Sequence, residues 1–427
     1  MRAPDLSVSR RLLSLLDRSP TPFHAVETAA DELSAAGFVE VPAGESIPAR
    51  GRVFVRRGGA LIAWVVDEAH DAGSPIRVIG AHTDSPNLRI KPQPDTASGQ
   101  WRQLGVEIYG GALLNSWLDR DLGLAGRVAV REGDGVVTRL LRDDRPLLRV
   151  PQLAIHLDRE INDKGLLLNK QRHMVPIWAA GDDAPPFSSY LADQLEVDAA
   201  AIVSWDVMAH DLTPAALTGL DEQFLASARI DNLLSCFVGL DALVSASADP
   251  GPAISMLCLF DHEEVGSVSS TGAASPLLSD VIDRIGAALD GDLEDRARSR
   301  AASLVVSADG AHATHPNYAD RHEPDHHVAV NGGPVLKVNA NQRYATDAET
   351  AAAFTLACER ADVPMQRFVT RTDLACGSTI GPASAGQLGI DVVDAGCAQL
   401  AMHSAREMAG SHDPAWFQAA LAELLSA

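Results

Sequence analysis

The sequence predicts an α/β fold in which a mostly parallel sheet carries helices on both faces and is interrupted by an inserted, mostly β segment. Three observations lead to this prediction. Buried-strand runs alternate with stretches of helical spacing at both ends of the chain. Between about Pro86 and Asp221 that alternation gives way to short strands and turns. The chain has 427 residues, 46% of them hydrophobic, which is enough for two or three domains with sizeable cores.

The N-terminal part is predicted to begin with a helix and to continue in strands. Pro22 suits the first turn of a helix, and Gly37 acts as a stop signal for the same stretch. Three apolar runs that follow predict strands, and the third ends directly before His82. These runs cover residues 53–55, 60–66 and 76–81.

The middle of the chain predicts antiparallel strands. Residues 105–109 and 126–130 are short β-like runs. A Glu-Gly-Asp-Gly turn at 132–135 leads into another apolar run at 136–141, which is typical of a hairpin. We therefore expect a mostly β module inserted into the surrounding domain.

After Asp221 the alternation of helices and strands resumes. Apolar residues recur at helical spacing from Leu233 to Leu243. Strands separated by helices indicate parallel pairing. Strands are predicted at residues 254–260, 304–307, 368–370 and 390–393, and helices at 351–360 and 414–425.

The charge balance argues against several classes of protein. The chain has 35 basic and 57 acidic residues, so its formal net charge is 35 − 57 = −22. Nucleic-acid phosphates and anionic lipid both require a basic face, so neither nucleic acid nor a membrane is expected as a partner. No apolar run approaches the roughly 20 residues of a membrane helix.

The N-terminus and the cysteines indicate a cytoplasmic protein. The first residues lack the uninterrupted apolar core of a signal peptide. The five cysteines are scattered and form no CxxC pair. Buried, reduced thiols are therefore expected rather than a disulfide framework or a thiolate zinc site.

Residues suited to binding metal follow several of the predicted strands. The carboxyl ends of parallel strands gather at one edge of an open sheet, where α/β proteins bind their ligands. Asp231 opens the helix that begins at Asn232. The residues that follow the strands are His82 with Asp84, Glu263 with Glu264, Asp309, and His403 further along.

The donor types point to a catalytic metal. Imidazole and carboxylate donors without thiolates suit Zn²⁺, Mn²⁺ or Co²⁺ at a catalytic site better than a structural zinc. Asp84 can accept the second imidazole N–H of His82 and so fix the tautomer that binds metal. Glu263 and Glu264 leave the backbone in different directions. One carboxylate can therefore bind metal while the other stays free as a general base.

Each feature also has an ordinary explanation. A His-x-Asp segment after a strand is common in surface loops, and an adjacent Glu pair is usual on a solvated face. Asp231 suits a plain helix N-cap, Asp309 a turn, and His403 a satisfied core position. Their joint occurrence near predicted strand ends is what favours the metal site.

With these residues in place, the sequence resembles the M18 family of metalloaminopeptidases. Two of the motifs that carry the resemblance are Gly-Ala-His82-Thr-Asp84-Ser-Pro and Asp-His-Glu263-Glu264-Val-Gly-Ser. The matches extend in order from about residue 20 to 410. The other segments are 154–159, 228–232, 309–318, 337–344 and 373–382.

The resemblance implies two zinc ions per subunit, with Mn²⁺ or Co²⁺ as substitutes, that share Asp231 as a bridging ligand. His82 and Asp309 would complete one site, and Glu264 and His403 the other. In this arrangement Glu263 would be the general base.

The resemblance also implies a domain organisation and an assembly. Residues 1–90 and 221–427 would form a discontinuous metallopeptidase catalytic domain, and residues 91–220 an inserted dimerisation domain. Family members form tetrahedral particles, commonly dodecamers. His156 would reach a neighbour's active site, as a transition-state donor or an additional metal contact. Without the resemblance, His156 reads as a strand histidine inside the insert.

The implied activity is removal of the N-terminal residue from peptides. An acidic first residue needs a cation in its pocket, for which Lys337 is the first candidate and Arg343 the second. A surface or structural charge is the alternative explanation for both. Since some relatives prefer leucine-like residues, acidic and neutral first residues both stay open.

Two other classes of function stay open. One is another two-metal hydrolase, such as an N-acyl amino-acid deacylase, which would not require a free amine. The other is a noncatalytic assembly protein. The presence of all the implied ligands and of the base argues against the second.

Overall fold

The computed structural model describes residues 6–181 and 184–427. None of the helices in these ranges combines the length and apolar character that a bilayer span requires. The helices are α1 (Ser7–Arg18), α2 (Pro22–Ala35), α3 (Ile161–Lys164), α4 (Phe187–Leu195), α5 (Ile230–Ala246), α6 (Leu277–Ala288), α7 (Leu293–Ala301), α8 (Ala348–Arg360), α9 (Ile380–Leu388) and α10 (Asp413–Leu425).

Strands make up much of the remaining regular structure. The strands are β1 (Val39–Glu40), β2 (Gly51–Arg57), β3 (Ala60–Val66), β4 (Ile76–His82), β5 (Asn87–Ser98), β6 (Trp101–Tyr109), β7 (Leu122–Glu132), β8 (Gly135–Leu148), β9 (Ile177–Ala180), β10 (Ile202–Asp211), β11 (Ala216–Thr218), β12 (Phe224–Ser227), β13 (Ile254–Phe260), β14 (Leu304–Ala308), β15 (Ala311–His312), β16 (Val335–Val338), β17 (Gln366–Val369), β18 (Asp391–Gly396), β19 (Ala398–Leu400) and β20 (Glu407–Gly410).

The chain divides into two compact units. The first comprises the residues up to Asp84 together with Ala215–Met402 and Glu407–Ala427. The second, here called the inserted unit, comprises Ser85–Pro214 and His403–Arg406. Its main segment thus begins and ends a few residues earlier than the limits of 91 and 220 expected from the sequence.

A nine-stranded sheet forms the centre of the first unit. Its order is β1-β2-β3-β13-β4-β14-β18-β16-β17. The four central strands β13, β4, β14 and β18 are parallel to one another. In contrast, β3 runs antiparallel to β13, and β16 runs antiparallel to β18. The predicted parallel sheet is confirmed at its centre, and antiparallel pairings flank that centre.

Helices cover both faces of this sheet, as predicted. Side chains alternate between the two faces along each strand. Ile79 and Leu257 therefore join a core cluster with α1, α2, α5, α8 and α10. Their neighbours Val78 and Met256 join a second cluster with α6 and α9. Burial on both faces explains why β3 is apolar without interruption and why β13 is apolar except for Ser255.

Local signals fix where the helices begin. Thr21 accepts the backbone N–H of His24 at the start of α2, and Pro22 occupies the first turn. Asp347 forms a capping box with Thr350 at the start of α8. The start of α5 is different, since Asp231 and Asn232 have non-helical dihedral angles.

A second, five-stranded sheet also belongs to the first unit. Its order is β11-β12-β20-β19-β15. Antiparallel pairing of β12 with β20 places Ser227 opposite Glu407. These strands have two to four residues, too few for a periodic signal, and the sequence did not predict this sheet.

The inserted unit is built on an antiparallel sheet. Its order is β8-β7-β10-β5-β6-β9, and every pairing is antiparallel. The predicted hairpin is present, because β7 and β8 pair down to Glu132 and Gly135. Phe187 and Leu191 of α4 pack into the core of this unit.

Candidate metal centre

Three neighbouring strands bring potential ligands to one edge of the nine-stranded sheet. The strand β4 ends at His82, β13 is followed by Asp261, and β14 is followed by Asp309. Because β13, β4 and β14 are adjacent and parallel, their carboxyl ends meet at the same edge. The site expected from the sequence depends on this arrangement.

His82, Asp231 and Glu264 converge. One ligand atom from each of the three lies within 4.8 Å of the others, and in residues 6–181 and 184–427 no other three His, Cys, Asp or Glu residues meet this condition. His82 and Asp231 are 1% and 4% exposed. Imidazole nitrogen with carboxylate oxygens is a donor set that suits zinc. The residues therefore fit the metal that the sequence led us to expect.

The orientation of His82 selects the nitrogen that binds. Its Nδ1 lies 2.9 Å from the main-chain oxygen of Asp84, which can only accept a hydrogen bond. Nδ1 therefore donates to the main chain, and Nε2 is the nitrogen that faces the cluster, 3.3 Å from Asp231 Oδ1. Burial opposes protonation of His82, but hydrogen bonds to Asp231 and Asp84 raise its pKa well above the usual value.

Asp84 makes hydrogen bonds that the sequence did not predict. We expected its carboxylate to be the main acceptor for His82, yet that oxygen lies 3.4 Å from Nδ1, further than the main-chain oxygen. The carboxylate instead accepts the backbone N–H of Glu263 at 3.0 Å and of Glu264 at 3.1 Å. Asp84 therefore fixes the main chain of the glutamate pair.

The two glutamates occupy different places, as their adjacency suggested. Glu264 belongs to the converging set. Glu263 Oε2 lies 4.0 Å from His82 Nε2, and the Glu263 side chain is 16% exposed. Burial raises the pKa of Glu263 to about 7, and the nearby carboxylates of Asp309 and Asp231 add to the rise while His82 opposes it.

The main chain carries Asp231 into the cluster. Arg229, and not Asp231, is the N-cap of α5, with a φ of 58°. The backbone N–H of Asp231 donates to Glu407 Oε2 at 2.9 Å. The side-chain amide of Asn232 donates to the Ala308 oxygen at 2.7 Å. Sequence reasoning missed Glu407, because nothing in its neighbourhood along the chain marks it as different from a surface acid.

Asp309 and Lys337 form a buried pair in the first unit. Lys337 Nζ lies 3.8 Å from Asp309 Oδ1, and the lysine side chain is 1% exposed. The ammonium donates to the Gly310 oxygen at 3.2 Å and lies 5.0 Å from the centre of the Tyr344 ring. Burial raises the pKa of Asp309, while Lys337 opposes that rise. Arg343, the second predicted pocket cation, is exposed.

The two predicted histidines outside this set belong to the inserted unit. His403 is half-buried, with Nδ1 3.1 Å from the Gly111 oxygen, so it is not a core histidine. His156 lies in an exposed turn and not in a strand. All five cysteines are free, and four of them are buried.

A sheet with a parallel centre and with imidazole and carboxylate donors at its carboxyl edge suits a metallohydrolase. The family model for aminopeptidase I zinc metalloproteases (M18) matches residues 15–423. The chain belongs to the M18 family and is a zinc metalloaminopeptidase. The predicted family and class of enzyme are thus confirmed.

Individual relatives agree with this assignment. The probable M18 family aminopeptidase 2 of Streptomyces coelicolor is 52% identical over 408 residues, covering 94% of this chain and 94% of that protein. The protein of the same name from Mycobacterium tuberculosis is 50% identical over 423 residues, covering 97% of each.

Solved structures agree as well. A chain of the Ape4–Nbr1 complex, determined by cryo-EM, has a TM-score of 0.94 and 35% identity, covering 100% of this chain and 88% of that chain. The mApe1 dodecamer of Saccharomyces cerevisiae has a TM-score of 0.86 and 26% identity, covering 98% of this chain and 96% of that chain.

Proposed function

We propose that this aminopeptidase binds two zinc ions per subunit and hydrolyses the first peptide bond of peptides. His82 and Asp309 would hold one ion, Glu264 and His403 the other, and Asp231 would bridge them. The observation that carries this proposal is the convergence of His82, Asp231 and Glu264 within 4.8 Å. Mn²⁺ and Co²⁺ accept the same donors and are expected to substitute.

Glu263 is the proposed general base. Zinc, where it binds, supplies Lewis-acid chemistry that polarises a carbonyl and acidifies water. Glu263 would take the proton of the attacking water and deliver it to the leaving amine. Its position 4.0 Å from His82 and its partial exposure support this role, since the base must lie close to the metal and reach water. Asp84 supports it by holding the Glu263 main chain.

We further propose a preference for an acidic first residue, with Lys337 as the selecting cation. Lys337 is suited to the role because its ammonium lies beside a proposed ligand, Asp309, at 3.8 Å. An aspartyl or glutamyl side chain that reached this ammonium would form a charged hydrogen bond away from water. Arg343 is the second candidate, and its exposure leaves it available at the surface. A neutral first residue is the alternative outcome.

The inserted unit is the proposed dimerisation domain, and a tetrahedral dodecamer is the proposed particle. Support comes from its exposed loop, residues 151–173, which carries Leu157 and Leu167 at 75% and 91% exposure. Exposed apolar side chains favour association, because burying them in an interface removes them from water. The loop also borders a groove of about 340 Å³ in the same unit. His156 is in this loop, which suits the proposal that it reaches a neighbouring subunit's active site.

Hydrolysis of chromogenic amides of Asp, Glu, Leu and Ala tests the function. Each amide is assayed free, N-acetylated, and with a chelator. Chelator-sensitive cleavage of free Asp or Glu amides, abolished by acetylation, is the expected result. Faster cleavage of Leu amides would retain the mechanism and remove the proposed pocket. Cleavage that survives acetylation would favour the N-acyl amino-acid deacylase, and no cleavage at all the noncatalytic assembly protein.

A further inference from the structure

A buried carboxylate outside the proposed ligand set is bonded to the proposed bridging residue. Glu407 Oε2 accepts the main-chain N–H of Asp231 at 2.9 Å. Glu407 is 2% exposed and Asp231 is 4% exposed. Burying a carboxylate is unfavourable unless its oxygens are hydrogen-bonded, so this contact is a specific structural arrangement and not a chance surface contact.

The sheet fixes where the Glu407 side chain begins. Glu407 is the first residue of β20 and pairs with Ser227 at the end of β12. Between Ser227 and Asp231 the chain turns through Arg229, whose φ is 58°. Because of this turn, the amide of Asp231 lies next to Glu407, which is also the strand partner of Ser227 four residues earlier. The side chain of Glu407 thus connects the end of β12 with Asp231.

The Asp231 N–H lies in the first turn of α5, where amide groups have no acceptor within the helix. Asp231 has a φ of −81° and a ψ of 104°. Glu407 supplies the acceptor on one side. On the other side, Asn232 Nδ2 donates to the Ala308 oxygen at 2.7 Å, next to Asp309. These two bonds hold the main chain and the neighbour of Asp231, and so contribute to the position of its carboxylate.

We propose that Glu407 is a positioning residue that aims the Asp231 carboxylate at the metal centre through its hydrogen bond to the Asp231 amide. The inference rests on the proposed function of Asp231 as a metal ligand. In this role Glu407 acts only as a hydrogen-bond acceptor. A glutamine, which is neutral but has the same length and an acceptor oxygen, should therefore preserve the role, whereas a leucine of similar volume should not.

Two variants separate these cases, Glu407→Gln and Glu407→Leu. The readouts are zinc affinity by chelator competition and the visible spectrum of the Co²⁺-substituted protein, which reports ligand geometry without turnover. Glu407→Leu is expected to lose zinc affinity by about 10- to 100-fold and to change the Co²⁺ spectrum. Glu407→Gln is expected to keep both, and kcat is expected to follow the metal readouts.

Asp413→Leu is the matched control. Asp413 is also a buried carboxylate that accepts main-chain N–H groups, from Asn331 at 2.7 Å and Gly333 at 2.9 Å, but these are not proposed ligands. Its loss is expected to lower the melting temperature and to leave the zinc affinity of the folded protein unchanged. If Asp413→Leu weakened zinc binding as much as Glu407→Leu, the effect would be general destabilisation and the proposal would fail.

Hydrogen exchange on the metal-free protein tests the bond itself. Mass spectrometry of the fragment covering 228–234 is expected to report faster exchange in Glu407→Leu and not in Glu407→Gln. If Asp231→Asn kept its full zinc content, Asp231 would not be a metal ligand. The exchange experiment would still show whether Glu407 holds the Asp231 amide. A wild-type Co²⁺ spectrum in folded Glu407→Leu would overturn the proposal. If Glu407→Leu does not fold, an altered spectrum in Glu407→Gln overturns it equally.

Discussion

The Asp84 carboxylate accepts the main-chain N–H of Glu263 at 3.0 Å, and this bond joins the segments that follow two neighbouring strands, β4 and β13. The main-chain oxygen of Asp84 meanwhile holds the ring of His82. Asp84 therefore positions both the imidazole of the proposed ligand His82 and the main chain of the proposed base Glu263. The distance between these two proposed groups depends on Asp84.

Replacing Asp84 by asparagine is expected to lower kcat by about 10- to 100-fold. The carboxamide has a single acceptor oxygen, whereas the two carboxylate oxygens of Asp84 accept the N–H groups of Glu263 and Glu264. Steady-state kinetics and zinc content measure the change. The matched control is Asp347→Asn, since Asp347 also accepts two N–H groups, from Glu349 and Thr350, but at the start of α8. Asparagine is an adequate N-cap, so the control should keep its activity. Wild-type kcat in Asp84→Asn would contradict the role given to Asp84.

Glu263→Gln is expected to lose about 10²- to 10⁴-fold in kcat and to keep its zinc, because the amide has the size of the carboxylate and cannot accept the proton. Glu264→Gln is the paired variant and should instead lose zinc affinity. Metal analysis beside single-substrate kinetics separates the two. Full turnover in Glu263→Gln would remove it as the base.

Lys337→Met tests the proposed selection of acidic residues. The methionine keeps the length of the stem and removes the charge. The kcat/KM for an Asp amide should fall at least about tenfold relative to that for an Ala amide, since the side-chain carboxylate loses its partner. Arg343→Met should have the smaller effect on the same ratio. An equal loss on both amides, with less zinc bound, would mean that Lys337 acts through Asp309 and does not select the substrate.

Changes in the exposed loop of the inserted unit test its part in assembly. Leu157→Asp combined with Leu167→Asp is expected to reduce the particle mass measured by light scattering, because charges replace apolar side chains that would be covered in the assembly. Leu293→Asp is the control, since Leu293 is 82% exposed but lies on α7 in the first unit. A wild-type mass in the double variant would place the interface elsewhere.

Asp413 gives the stability a defined pH dependence. Burial raises its pKa to about 7, although hydrogen bonds from Gly333 and Asn331 oppose the rise. A folded-state pKa above the unfolded value of about 3.9 means that the folded chain binds the extra proton between these values. Stability should therefore fall as pH rises through this window.

The comparison of wild type with Asp413→Asn measures this contribution. Relative to the variant, the wild-type unfolding free energy should drop by on the order of 2 kcal/mol between pH 5 and pH 8. Denaturant titrations at the two pH values, at fixed zinc and protein concentration, provide the number. An equal difference at both pH values would show that Asp413 does not titrate in this range.

Much of the central sheet was predictable because its signal is local. The run that forms β3 is apolar throughout, those of β4 and β13 are mostly apolar, and polar residues follow β4 and β13, so both the strands and the ends that carry the proposed ligands were visible in the sequence. The hairpin of β7 and β8 was visible for a similar reason, since glycines mark its turn. The family of the enzyme followed from motifs at these positions.

The remainder depends on contacts between distant segments. The bond between Glu407 and the Asp231 amide joins residues whose neighbours along the chain carry no common pattern. The burial of Lys337 against Asp309 is likewise set by the packing of β16 and not by its own sequence. Strands as short as β15 and β19 have no periodicity to detect.

The strand order has a consequence for synthesis of the chain on the ribosome. The strand β4 lies between β13 and β14, and both are translated after the whole main segment of the inserted unit. During that interval the apolar strand β4 has neither of its sheet neighbours, and unpaired apolar strands are prone to aggregate. A nascent chain interrupted before Leu304 would leave one edge of β4 open and would lack Asp309. We therefore expect chaperones to hold this chain until late in translation, and zinc to be acquired only after release.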